Sequence, residues 1–129
     1  MTIAKSFQVS GEFDQAITSY KSVVQLNKAA MAAEARYEIA SCWLSLNKLS
    51  DAEKAAFETI NKSGSYDYWV TKAYILLGDI YFKQKDYFNA KATFQSVVDN
   101  TTDAELKAEA QSKLDQVTVE EGKSSKVNN

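Results

Sequence analysis

One arrangement of apolar and small residues returns along this chain at intervals of 36 to 38 positions. A recurrence of that length demands stacked supersecondary units, because no single unit can bury its own apolar face. The clearest copy is KAYILLGDIYFKQKDYFNAKATFQSVV, residues 72–98. Tyr74, Leu77, Gly78 and Tyr81 recur at helical spacing and mark one face of a first helix. After a polar turn at Gln84 to Asp86, Tyr87, Ala90, Phe94 and Val97 mark one face of a second. Glycine inside a helix costs roughly 1 kcal/mol relative to alanine. Gly78 therefore implies a close crossing of the second helix, expected against Ala90.

The copies upstream are more degenerate. Ile39, Ala40 and Trp43 stand 38 residues before Leu77, Gly78 and Tyr81, and Leu49, Ala52 and Ala56 stand 38 before Tyr87, Ala90 and Phe94. Arg36 takes the place of the first aromatic, and Phe57 lies one residue away from the expected aromatic position. A first copy holds Phe13, Ala16, Tyr20 and Val23, with Ile3, Ala4 and Phe7 as the remains of its first helix. Near the end, Leu114 follows Leu77 by 37 residues, and Asp115 fills the small-residue position. An acidic residue there would be unfavourable beneath another helix, so the last helix is expected to cap the stack with an exposed outer side.

These residues resemble the tetratricopeptide repeat, whose first helix carries an aromatic, a large apolar residue, Gly or Ala, and another aromatic. In the clearest copy Tyr74, Leu77, Gly78, Tyr81, Ala90 and Phe94 fit. Val97 stands where the family prefers Ala, and the closing Pro is absent. The resemblance implies an all-α, right-handed solenoid of about seven helices. The expected repeats cover about 1–27, 28–64 and 65–101, with a capping helix over 102–119 and a flexible tail over 120–129. The lengthened first helices, and the phrases AEARYEIA and AEAQSKL, are similar to members of the bacterial cell envelope. Those members include the Tol-Pal-associated periplasmic factor and the outer-membrane assembly lipoprotein. That narrower likeness implies the periplasm or cell envelope; without it the compartment is open, the cytoplasm included.

Local signals place the boundaries. Gly11 suits a left-handed residue after a helix over 2–9. A helix from Phe13 to Leu26 follows, with a turn expected at Asn27. KAAMAAEARYEIASCWLSL is alanine-rich and helical until Asn47, and KSGSYDY is the clearest loop. Thr102 with Glu105 reads as a capping box opening the last helix. The first helix lacks its opening turn, which suggests a fragment of a longer repeat protein, with Met1 internal to it or added on expression.

The chemistry-bearing residues are sparse. There is no histidine, which removes the commonest general base and metal ligand. Cys42 is the only cysteine, sits beside Trp43 and reads as a small buried residue. The carboxylates Glu34, Glu38, Asp51, Glu53 and Glu58 are spaced as solvated helix faces, and Asp99 and Asp103 suit capping. The aromatic residues Tyr20, Trp43, Tyr74, Tyr81, Tyr87 and Phe94 occupy packing positions and are expected in the core. No phosphate loop or nucleophile elbow is present, so the chain is not expected to be an enzyme or to need a cofactor or metal. A net charge of −2 gives no electrostatic case for nucleic acid, and no apolar run approaches the ~20 residues of a membrane span.

What remains is the surface. The resemblance implies that the first helices line an inner groove that recognises a peptide or helix of another protein. Its positions fall on Tyr37, Ser41 and Leu44 in the second copy and on Lys72, Ile75, Asp79, Phe82 and Lys83 in the third. Phe82 and Ile75 stand out because packing does not require them to be apolar, although Phe82 could instead cover a neighbouring repeat. Chaperone-binding members clamp a terminal carboxylate with paired Lys and Asn; this chain lacks the Asn residues, so that specificity is not carried over. The alternative role is a spacer or self-association module, with homo-oligomers forming through the shortened amino-terminal end.

Overall fold

A computed structural model describes residues 1–26 and 29–128. Among them the chain forms seven α-helices and no strand: α1 (Thr2–Val9), α2 (Phe13–Leu26), α3 (Ala29–Ser45), α4 (Leu49–Lys62), α5 (Asp67–Lys83), α6 (Tyr87–Asn100) and α7 (Ala104–Asn128). Each helix packs on the next, and α5 also packs on α3 and α7. The fold is an all-α solenoid of helix pairs, as the recurrence requires.

The repeat is written into the backbone of the turns. Gly11, Asn47 and Lys85 all have positive φ, at 80°, 58° and 61°. Each turn closes in the same way: the next residue's N–H donates to a carbonyl five back, Glu12 to Phe7, Lys48 to Trp43 and Asp86 to Tyr81, at 2.8 to 3.0 Å. This left-handed closure satisfies carbonyls that a helix end leaves free. Glycine and asparagine tolerate it; lysine does so at a cost, because its Cβ crowds the backbone.

Packing inside the pairs follows a volume trade. A Cβ added at Gly78 would lie 2.6 Å from Cζ and 2.8 Å from Cδ1 of Phe94. The close approach is thus made by the Phe94 ring, and not by Ala90 as the spacing suggests. In the second copy the equivalent positions hold Ala40 and Ala56, both fully buried. A missing ring there is matched by an added methyl, which explains how the degenerate copy stays packed and why Phe57 is left 39% exposed.

Two apolar clusters result. One joins α1 to α5 and contains Tyr20, Ile39, Cys42, Leu76, Leu77 and Ile80; the other joins α5, α6 and α7 and contains Ile75, Phe94, Leu106 and Leu114. Helix α5 contributes to both.

Several expectations need correction. Tyr74 is not in the core: it is 39% exposed and faces a cleft with Val97 and Asn100. The last helix is capped by Asp103, whose Oδ1 accepts from the Leu106 N–H at 3.0 Å. Thr102 has no such role; Thr101 Oγ1 instead accepts from the Asp103 N–H. Residues 120–128, expected as a frayed tail, continue α7 as helix, and Glu121 pairs with Lys91 on α6 at 2.8 Å. The turn expected at Asn27 lies outside the described residues.

Candidate partner-binding groove

Charged contacts join α1 to α3 and α5 to α7 side by side. Lys5 Nζ on α1 lies 3.0 Å from Glu34 Oε2 on α3, and Lys113 Nζ on α7 lies 2.8 Å from Asp79 Oδ1 on α5. With the packing of α3 on α5, these contacts make α1, α3, α5 and α7 a continuous wall. The capping helix therefore contributes to the surface that the sequence assigned to α3 and α5 alone.

The predicted groove residues meet different fates. Ile75 is 2% exposed, inside the cluster with Phe94 and Leu106, so it cannot anchor a ligand. Its position is covered because α7 packs alongside α5 and α6. Leu44 and Tyr37 are half-buried against the first cluster, and Ser41 is half-buried between them in sequence. Asp79 is engaged by Lys113 through both carboxylate oxygens, at 2.8 and 2.9 Å. Burial pushes the Asp79 carboxyl up, and the Lys113 hydrogen bond is the main influence opposing it.

Lys72 is also engaged. Its Nζ lies 5.2 Å from the ring centre of Tyr37 and 5.8 Å from that of Tyr68, within cation–π range. Trp69 completes an aromatic patch, tilted at 5.7 Å to Tyr37 and edge-on at 4.9 Å to Tyr68. Neither Trp69 nor Tyr68, the last residue of the expected loop KSGSYDY, is among the groove residues expected from the sequence. Burial pushes the Tyr37 phenol up, and the charges of Glu38, Glu109 and Asp79 push in the same direction.

Phe82 is half-buried, with its ring 5.8 Å from that of Tyr87. Its open side faces a cleft of about 550 Å³ between α5 and α7, lined also by Ser112, Asp115, Gln116, Val119 and Glu120. Val119 is 55% exposed there and lies one to two helical turns beyond Leu114, where α7 had been read as a cap. Lys83 is exposed at the end of α5.

Elsewhere the chemistry is quiet. Cys42 is fully buried, and burial pushes its thiol up to about 12, so the nucleophilic thiolate is scarce at neutral pH. A second cleft of about 390 Å³ lies between α2, α3 and α4, where Arg36 faces Lys21, Lys54, Asp51 and Glu58. Arg36 donates to the Lys62 carbonyl at the end of α4 at 3.3 Å, which is the use this chain makes of the residue replacing the repeat's aromatic. Among the described residues no helix is long and apolar enough to cross a membrane.

The repeating turns and the paired helices agree with the family comparison. A tetratricopeptide-repeat model matches residues 1–68, more than half of the chain, and a second matches residues 72–100. This chain belongs to the tetratricopeptide-repeat family. Comparison with curated proteins gives no match. Tetratricopeptide repeats generally mediate protein–protein interaction and are generally noncatalytic scaffolds.

Proposed function

We propose that this tetratricopeptide-repeat chain is a noncatalytic interaction module that binds a peptide or helix of a partner protein along the wall of first helices. The observation that carries the reading is Phe82, a half-buried aromatic side chain open to a cleft whose far side presents exposed Val119. Aromatic anchors in such clefts commonly dominate binding energy, while surrounding polar groups fix orientation. Tyr37, Ser41, Leu44, Lys72, Asp79 and Lys83 form the remaining surface of the proposed groove, and Ile75 supports it from beneath.

The test compares Phe82→Ala with Phe88→Ala, since Phe88 is 79% exposed on α6 and outside this wall. Titration of a peptide selected on the wild-type chain should weaken about tenfold or more with Phe82→Ala, roughly 1.4 kcal/mol. It should be unchanged with Phe88→Ala. Equal effects, or none, would reject the groove.

A second reading, self-association, is favoured by Ile3 and Val9, which are 69% and 89% exposed on α1. Light scattering of wild type and of an Ile3→Lys, Val9→Lys variant separates the two: a dimer that the variant dissolves places association at α1. The seventeen-residue helices α3 and α5 also support a cell-envelope setting, which localisation of the tagged protein would test.

A further inference from the structure

The charges on the first-helix wall are unevenly committed. Lys5 is paired with Glu34, Lys113 with Asp79, and Lys72 lies over the Tyr37 and Tyr68 rings. Two half-buried carboxylates on the same wall have no cation within ion-pair distance among the described residues: Glu38 and Glu109. Glu38 lies 3.5 Å from the Tyr20 hydroxyl, whose short hydrogen bond goes instead to Gln8 Oε1 at 2.6 Å. Glu109 sits one turn before Lys113 on α7, and its charge reaches both Tyr37 and Asp79. Two half-buried carboxylates, neither in an ion pair among the described residues, thus stand within electrostatic reach of an aromatic patch that already holds one ammonium group.

We propose that this wall recognises a basic segment of the partner: an arginine or lysine side chain takes the place of Lys72 on the Tyr37–Tyr68–Trp69 patch, countered by Glu38 and Glu109. The inference rests on the first-helix wall being the binding surface. Arginine suits the position better than the resident lysine, because a guanidinium both stacks on aromatic rings and bonds carboxylates in a bidentate fashion. Lys72 is an exchangeable occupant, held by ring faces and not by an ion pair. The same segment places an apolar residue in the Phe82 cleft. Lys72 and Phe82 are ten residues apart on α5, about 15 Å along the axis. The basic and apolar residues of the partner are therefore separated by roughly four or five positions if it is extended, or about ten if it is helical.

The experiment is selection of random phage-displayed peptides on the full chain, followed by fluorescence anisotropy of the selected peptides. The variants are Phe82→Ala, Lys72→Ala, and the double Glu38→Gln, Glu109→Gln, which keeps side-chain shape and an acceptor for Tyr20. Circular dichroism of the double variant should match wild type. The expected peptides carry Arg or Lys and a large apolar residue at the stated spacing, and bind less tightly as salt rises. They lose about tenfold or more in affinity with the double glutamine variant, as expected when a desolvated charge partner is removed. Lys72→Ala should raise their affinity, since the internal competitor is gone, and an unchanged or weaker affinity would count against displacement of Lys72. Phe82-dependent peptides that are neutral or acidic, or that ignore the double variant, would overturn the basic-segment inference and leave the groove standing. Peptides indifferent to Phe82→Ala, or no selected peptide, would overturn the groove and the inference together.

Discussion

Lys113 Nζ reaches both carboxylate oxygens of Asp79, at 2.8 and 2.9 Å, and so fastens the last helix to the wall of first helices. Both side chains are about 30% exposed, so water screens the pair only partly. Replacing Lys113 by Met should cost about 1–2 kcal/mol at neutral pH, leaving a half-desolvated carboxylate behind. The pH dependence has a definite sign. Burial already raises the Asp79 carboxyl, and loss of Lys113 raises it further. A carboxyl raised on folding favours the folded state at low pH, and that contribution is lost as pH rises through its folded pKa. The deficit of Lys113→Met relative to wild type should therefore shrink on acidification from neutrality. Urea unfolding at several pH values measures it, and a constant deficit would contradict the buried pair.

Gly78 and Phe94 offer a test of the volume trade within the third repeat. Gly78→Ala gains about 1 kcal/mol of helix propensity but drives a methyl into the Phe94 ring, an overpacking that costs about 1–3 kcal/mol. The single variant should be net destabilised. In a Phe94→Ala background the same change recreates the Ala40–Ala56 arrangement and should become stabilising. The interaction between the two sites is the readout, and additive effects in chemical denaturation would sink the explanation.

Lys85 is the unfavourable member of the three left-handed turns. Its φ of 61° matches the role of Gly11, which has φ of 80°. Lys85→Gly should raise stability by about 1 kcal/mol, since the Cβ strain disappears while the closing bond from Asp86 to Tyr81 remains. No rise in melting temperature would mean that the αL residue costs little here.

The helices were legible because each carries its own signal: apolar residues at helical spacing, and turn residues at Gly11, Asn47 and KSGSYDY. The core glycine was legible for the same reason. Ile75 was not, because position on α5 says which way it points but not that α7 will lie over it. The engagement of Lys72 and Asp79 was hidden likewise, as both partners belong to other stretches of chain. Val119 was missed because Asp115 marked α7 as an end, whereas the two residues lie one turn apart on a face that lines the Phe82 cleft. Asp103 and Thr102 are both good caps in sequence; only the orientation of the first turn of α7 chooses between them.

That choice is measurable. Asp103→Ala removes the acceptor for the Leu106 N–H and should cost about 1 kcal/mol. Thr102→Ala should stay within a few tenths of a kcal/mol, as an exposed residue outside the cap. A larger loss from Thr102→Ala would restore the capping box read from the sequence.

Glu38 joins stability to the proposed recognition of a basic segment. Burial pushes its carboxyl up, the neighbouring Glu34 adds to this, and Lys72, Lys5 and the Tyr20 hydroxyl oppose it. Because the folded pKa lies above the unfolded one, the stability linked to Glu38 is present at low pH and is lost as pH rises through the folded pKa. At neutral pH the ionised side chain therefore costs stability in the free protein. Glu38→Gln should raise the melting temperature at pH 7, and the gain should fade below about pH 4, where the carboxyl is protonated in both states. A gain that does not vary with pH would show that removal of charge is not its cause. If the same substitution also weakens a basic peptide, Glu38 exchanges stability of the empty module for affinity. A carboxylate that costs stability in the free chain and gains a partner cation in the complex is what a recognition residue requires, and a purely structural carboxylate would not show both effects.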